Sequence, residues 1–299
     1  MRIASTIFAL AAVAALAGCG RTETSAEAEA PQAAASLEAG AVLDEAIAGA
    51  HRSDEEKARD VYRHPKETLL FFGAEPSMTI VEISPGGGWY SNILAPFVAR
   101  GGGVYYAAGF NPAASERARE AADAFRDKFE SDPSLYGTVH MTALDGDEPI
   151  APEGSADMVL TFRNVHNWMI GGNAEENFKK FYAALKPGGV LGVVEHRAEP
   201  DIDQDKEASS GYVREATVMA LAEAAGFEFE APSEINANPR DTKDHPFGVW
   251  TLPPVRRSSA VRGVEDPAFD RAKYDAIGES DRMTMKFRKP LAADGALLE

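Results

Sequence analysis

The stretch VEISPGGGWYS, Val81 to Ser91, decides how the chain is read. A short apolar run, Thr79–Ile83, ends at Ser84-Pro85-Gly86 and is followed by a helical pattern, Tyr90–Arg100. Strand, glycine-bearing turn and helix in that order form the start of a βαβ unit, and such a turn brings backbone N–H groups close to a ligand. Its pattern is E-x-S-x-G-x-G, with Glu82, Ser84, Gly86 and Gly88 at the marked places. Ser84 stands where a third glycine would give freedom, and it fits if its φ is negative. By itself the loop is an unspecific signal, because ordinary turns use glycine too.

Working outward, strands and helices alternate. Val104–Ala108, Thr138–Thr142, Ala156–Phe162, Val190–Glu195 and Phe227–Ala231 read as strands. Ala113–Glu130, Glu175–Leu185 (closed by LKPGG as a glycine C-cap) and Tyr212–Ala225 read as helices. Continuous apolar strands between helices imply a parallel sheet covered on both faces, and right-handed crossovers make it an α/β, Rossmann-like, doubly wound sheet. Ligands then bind beyond the carboxyl ends of the strands. Before the first strand, Val42–His51, Asp54–Tyr62 and Glu67–Phe72 read as helical.

The passages LDGDEPIAPEGSADMVLTFRNVHNW, Leu144–Trp168, and FYAALKPGGVLGVVEH, Phe181–His196, together with the glycine loop, resemble class I S-adenosylmethionine-dependent methyltransferases, in particular the quinone-biosynthesis enzymes and their small-molecule relatives. The resemblance runs from about Met78 to Ala231. It implies a seven-stranded sheet with an antiparallel last strand, for which DRMTMKFRKP, Asp281–Pro290, alternates suitably. Residues 233–280 are then an insertion capping the substrate side of a domain spanning 42–290, with 291–299 a tail.

The resemblance also implies S-adenosyl-L-methionine as cofactor and a hydroxyl or carbon of a small, aromatic or quinone-like acceptor as the methylated group. Carried over by position, Glu82, Ser84, Gly86 and Gly88 cradle the amino-acid end of the cofactor. Asp145 reaches adenine, and Arg163 and Asn164 line cofactor and acceptor. The acid that would hold the ribose hydroxyls is missing: VYYAAGFNP puts Gly109 in its place, with Asn111 the nearest substitute. NVHNW resembles the HDW run of plant phenolic O-methyltransferases, which makes His166 a general base and Glu195 its acidic partner, with Asn167 in place of the family's aspartate.

Each of these residues has a plainer reading. His166 could make a structural hydrogen bond at a loop start, and Glu195 could be a buried carboxylate paired with Arg163 or Arg197. His196 follows Glu195 and by strand alternation points the other way. In the insertion, Asp241, Asp244 and His245 could reach the site or sit in solvated turns; Trp168 and Trp250 could wall a flat acceptor or simply pack. Arg59, Asp60 and His64 read as a wet helix face or a site mouth. A metal site built from His166, Glu195, His196, Asp244 and His245 matches no compact ligand spacing, so no metal is expected.

The ends and the charge address the compartment. Arg2, the apolar run Ile3–Ala17 and Leu16-Ala17-Gly18-Cys19 resemble a bacterial lipoprotein signal with its lipobox. Cys19, the only cysteine, would carry the lipid, and Gly20 after it favours the outer membrane over the inner. Residues 20–41, rich in Ala, Glu and Ser, read as a flexible tether holding the domain on the periplasmic side. A formal charge of -17 argues against nucleic acid, which a basic face would bind. The alternative to catalysis is an exported protein of the same fold that binds a small ligand without methyl transfer.

Overall fold

The computed structural model describes residues 24–291, with side chains from residue 36. Cys19 and the segment resembling an export signal lie outside the described residues. The elements in chain order are helices α1 (Thr24–Ala48), α2 (Asp54–Lys57), α3 (Asp60–Arg63) and α4 (Pro65–Phe72), then strand β1 (Thr79–Ile83), α5 (Ser91–Gly101), β2 (Val104–Gly109), α6 (Glu116–Glu130), α7 (Pro133–Tyr136) and β3 (Val139–Ala143). β4 (Ala156–Phe162), α8 (Val165–Gly171), α9 (Ala174–Ala184), β5 (Leu185–His196), α10 (Glu215–Ala224) and β6 (Glu228–Ser233) follow. A 3-10 turn (Gly248–Thr251), α11 (Ala272–Ile277) and β7 (Arg282–Arg288) complete the chain.

The seven strands form one sheet in the order β3-β2-β1-β4-β5-β7-β6. β1 pairs in parallel with both β2 and β4, and β7 runs antiparallel between β5 and β6. The direction of winding therefore reverses between β1 and β4, and the loops after those two strands open a crevice there. Strand periodicity assigns each face. Val81 and Ile83 point to the layer of Phe178, Phe181 and Val218 from α9 and α10, whereas Ile80 points to the layer of Ile93 and Phe97 from α5. Glu82 shares the second face with Ile80, so its carboxylate is driven under α5 rather than out into the loop.

Three expectations change. The helix before the domain starts at Thr24 rather than Val42, and Ala39, Leu43 and Ala46 are buried against α4 and α5. Alanine and glutamate suit a tether by lacking bulk, but they are also strong helix formers, and a neighbouring apolar surface tips the balance. The expected helix Asp54–Tyr62 is split into α2 and α3, α2 opening on a capping box between Ser53 and Glu56. LKPGG is not a helix C-cap: α9 stops at Ala184, and Leu185 already has extended backbone as the first residue of β5.

Candidate active site

The loop after β1 separates two cavities and lines both through Ser84, Pro85 and Gly86. One, of about 680 Å³, lies over the ends of β2 and β3, with Gly109, Asn111, Met141 and Gly146 among its walls. The other, of about 470 Å³, lies over the ends of β4 and β5 and is covered by the segment between β6 and β7 through Val249, Trp250 and Pro253–Val255.

The glycines divide into two kinds. A Cβ on Gly86, Gly87 or Gly109 would meet nothing within 4 Å, so these backbones border open space. Gly88 faces inward: with φ +81, a Cβ there would sit 2.8 Å from the Phe129 ring, so this position serves helix packing and not the cradle. Ser84 has φ +50, contrary to the negative value a serine prefers. Its N–H donates to Ala108 O at 2.8 Å, a bond that holds the residue in the left-handed region usually left to glycine.

Glu82 is a strut at the cavity wall. Both the Ser91 hydroxyl (2.7 Å) and the Tyr105 hydroxyl donate to its Oε2. Burial pushes its carboxyl up to about 7, against the opposing pull of Tyr105, Ser91 and Arg163. Asp145 likewise holds structure rather than lining the large cavity. Its Oδ1 accepts the Asn111 N–H at 2.7 Å, tying the end of β3 to the end of β2, while its neighbours Asp147 and Glu148 line the cavity. Asn164 donates to Ile83 O (3.1 Å) and Thr161 Oγ1 (3.3 Å), joining β4 to β1 at the cavity floor.

His166 and Glu195 meet as expected. His166 Nδ1 lies 3.0 Å from Glu195 Oε1, and neither residue is more than 4% exposed. Glu195 does not pair with Arg163 or Arg197; Arg197 instead binds Asp281 and Glu234. The carboxylate also accepts the His166 N–H (3.3 Å) and the His196 N–H (2.7 Å). It thereby closes the first turn of α8, whose own cap residue Asn164 makes no side-chain cap bond. A carboxylate on Nδ1 sets the tautomer: Nδ1 carries the proton, and Nε2, with no protein partner among the described residues, keeps its lone pair.

His196 also joins the cavity, on the strand face opposite Glu195, as alternation requires. Its ring centroid is 5.2 Å from that of His166, and its Nδ1 bonds Ser280 Oγ at 2.5 Å. It shares its face of β5 with Val194, and Arg282, its partner on β7, lines the same cavity. Burial, then the nearby His166 and Arg282, hold its pKa well below the ordinary imidazole value, so it stays neutral. His166, Glu195 and His196 present nitrogen and oxygen atoms within 4.8 Å of one another. The Glu195 oxygens are, however, already taken by N–H donors, a pattern that suits an orienting carboxylate better than a metal ligand.

Other expected residues stand elsewhere. Trp168 packs on Phe178 and Phe181 in the core. Asp244 is solvent-exposed, its side chain 74% accessible. His245 is buried outside the cavity with Nε2 2.7 Å from Asp241 Oδ1; Asp241 also accepts from Tyr212 and from the Asp281 N–H. These residues brace the covering segment against β7, because an insertion of this length needs internal anchors. Arg59 does line the cavity, Asp60 pairs with the buried Arg52, and His64 closes α3 in left-handed conformation.

Beyond Arg59 and Arg163, the cavity holds Arg63, Glu279 and Arg282, which no motif marks. Arg63 and Arg282 line the cavity with Arg59 and Arg163, and Glu279 is the shared counter-ion: it accepts from Arg59 Nε (2.7 Å), Arg63 Nε (3.1 Å) and Arg282. These residues come from α3 and from the start of β7, more than two hundred positions apart, with no local pattern linking them. An aromatic wall of Trp89, Tyr90, Phe162 and Trp250 completes the cavity, Tyr90 and Phe162 stacking at 3.5 Å between centroids.

A scan against protein-family models and a search of curated proteins return no match. Solved structures do resemble the chain. The [4+2]-cyclase SpnF superposes with a TM-score of 0.51 at 14% identity, covering 87% of this chain and 97% of its own. A protein assigned as a sarcosine dimethylglycine methyltransferase, from Galdieria sulphuraria, gives 0.50 at 17% identity, covering 80% and 88%. With the strand order, the antiparallel β7 and the glycine loop at the switch point, the architecture of this chain is that of the Rossmann-like class I methyltransferase fold.

Proposed function

We propose that the chain is an S-adenosyl-L-methionine-dependent methyltransferase acting on a hydroxyl or carbon of a small acceptor, with the two cavities dividing cofactor and acceptor between them. The observation that carries this reading is the open loop Ser84–Gly86, shared by a large cavity at the β2 and β3 ends and a smaller one lined by His166, with Glu195 behind its ring. The free space beside Gly86, Gly87 and Gly109 suits a ligand approaching the backbone closely. Asn111, Asp147 and Glu148 would hold the adenosine side, and the loop N–H groups with Asn164 the amino-acid side.

When bound, the cofactor would supply an electrophilic methyl group. The chain's own part is to position the acceptor and to handle its proton. His166 Nε2 takes the proton of the acceptor hydroxyl or activated carbon; Glu195 keeps the ring aimed and stabilises the imidazolium that results. The covering segment with Trp250 and Pro253–Val255 excludes water and suits a flat, aromatic or quinone-like acceptor.

Titration calorimetry with adenosylmethionine tests the reading; absence of binding at about millimolar cofactor, where even weak sites fill, would sink it. Binding without turnover of any acceptor would favour the same fold serving as a ligand-binding protein. We further infer, from Leu16–Cys19 alone, that the protein is exported and lipid-anchored at Cys19. Palmitate labelling that persists in Cys19→Ala would refute the anchor.

A further inference from the structure

The acceptor cavity carries more positive charge than the protein supplies counter-charge for. Arg59, Arg63, Arg163 and Arg282 all line it, and three of them share the single carboxylate of Glu279. Arg163 has no carboxylate within ion-pair distance among the described residues; it stands at the end of β4 with φ +61, held by its N–H to Val194 O at 2.7 Å. Glu56, at the same wall, has its own cation in Lys128, 3.8 Å away, and also accepts from Asn92 and the Ser53 N–H. Glu82, with its carboxyl pushed up to about 7 by burial, is a weak counter-ion at neutral pH.

Surplus charge of this kind is costly in a half-enclosed space unless a ligand neutralises it. It is also out of keeping with the rest of the molecule, whose formal charge is -17. Adenosylmethionine does not cure it, because it brings a sulfonium and an ammonium against a single carboxylate. The guanidinium forks of Arg163, Arg59 and Arg63 are donors of the geometry that oxyanions accept, and His166 opens on the same cavity.

We propose that the acceptor is a small organic oxyanion, a carboxylate or phosphate ester, whose charged end is held by Arg163 with Arg59 and Arg63 while the reacting group lies toward His166. This deepens the methyl-transfer reading and rests on it for the word acceptor; the oxyanion site itself stands on the arginines.

Trp89 and Trp250 line the cavity and report on it. The full chain is titrated with benzoate, inorganic phosphate and, as neutral control, benzamide, following tryptophan fluorescence at constant ionic strength without adenosylmethionine. Benzoate or phosphate is expected to bind saturably and at least tenfold more tightly than benzamide, and which of them wins tells carboxylate from phosphate. Arg163→Gln should weaken that binding by about tenfold to a hundredfold, the range for losing a charge-assisted hydrogen bond, with partial recovery in Arg163→Lys. Arg59→Gln, at a position partly open to solvent, should weaken it several-fold and serves if Arg163→Gln does not fold. Benzamide binding as well as the oxyanions, no oxyanion binding up to about 10 mM, or full affinity in the folded variants would each overturn the proposal. Because no cofactor is present, these results stand apart from the calorimetry that tests methyl transfer.

Discussion

His166 Nδ1 lies 3.0 Å from Glu195 Oε1, and the same carboxylate receives the backbone N–H of His166. One side chain on β5 thus fixes both the tautomer of the imidazole and the start of the helix that carries it. His166→Ala is expected to lower kcat by about 10²–10⁴-fold, the usual share of a general base, and to leave cofactor affinity within a few-fold. Unchanged turnover would show that His166 moves no proton. Glu195→Gln keeps the shape but loses the charge on Nδ1, so its loss of kcat should be smaller than that of His166→Ala and accompanied by a lower Tm. Steady-state kinetics and thermal unfolding separate the two effects.

Glu82 couples stability to pH. Its folded pKa, about 7, lies above the ordinary carboxyl value of 4.5. The folded state therefore binds the proton more tightly than the unfolded chain does. The stability this gives is complete below 4.5 and is lost as pH rises through about 7. Glu82→Gln keeps an oxygen for Tyr105 and Ser91 and removes the titration. The difference in unfolding free energy, variant minus wild type, should grow by on the order of 3 kcal/mol between pH 4.5 and 8. Denaturant unfolding across that range checks it, and a flat difference contradicts the assigned burial effect.

Gly109 ends β2 beside the larger cavity, where a Cβ would meet nothing within 4 Å. A carboxylate therefore fits there. If adenosylmethionine occupies that cavity, Gly109→Asp should tighten its binding about tenfold or more through new bonds to the ribose hydroxyls. Calorimetry of the variant beside the wild type reads this directly; equal or weaker binding means the ribose does not lie at the end of β2.

Neighbouring glycines of one loop should respond differently. Gly88→Ala forces a methyl against Phe129 in a left-handed backbone and should cost about 1–3 kcal/mol of stability. Gly87→Ala meets no atom and has no positive φ, so its stability should stay within about 0.5 kcal/mol of wild type. Its effect belongs in ligand affinity instead. Parallel Tm and binding measurements on the two variants decide which glycines serve the fold and which the site.

Most of the sheet was legible in the chain's apolar pattern. β1 and β4 occupy the residues that their apolar runs mark out, because strands covered on both faces are written as continuous apolar runs, and β7 falls on DRMTMKFRKP, where the resemblance implied an antiparallel last strand. His166 and Glu195 were legible for a related reason: His166 stands just past β4 and Glu195 is the next-to-last residue of β5, at the strand ends where parallel topology gathers ligand-facing groups. The tertiary structure alone decided what each polar residue does with that placement. Glu82 near the end of β1 and Asp145 after β3 sit where a cofactor would be met, yet their carboxylates are spent on Ser91, Tyr105 and the Asn111 N–H. Gly88 looks like Gly86 in sequence and differs only in having Phe129 beneath it. The arginine cluster around Glu279 assembles α3 with the start of β7, and no spacing along the chain encodes it. Pairing of charges depends on distance through space, and for residues this far apart in sequence that distance is set only when the sheet has closed.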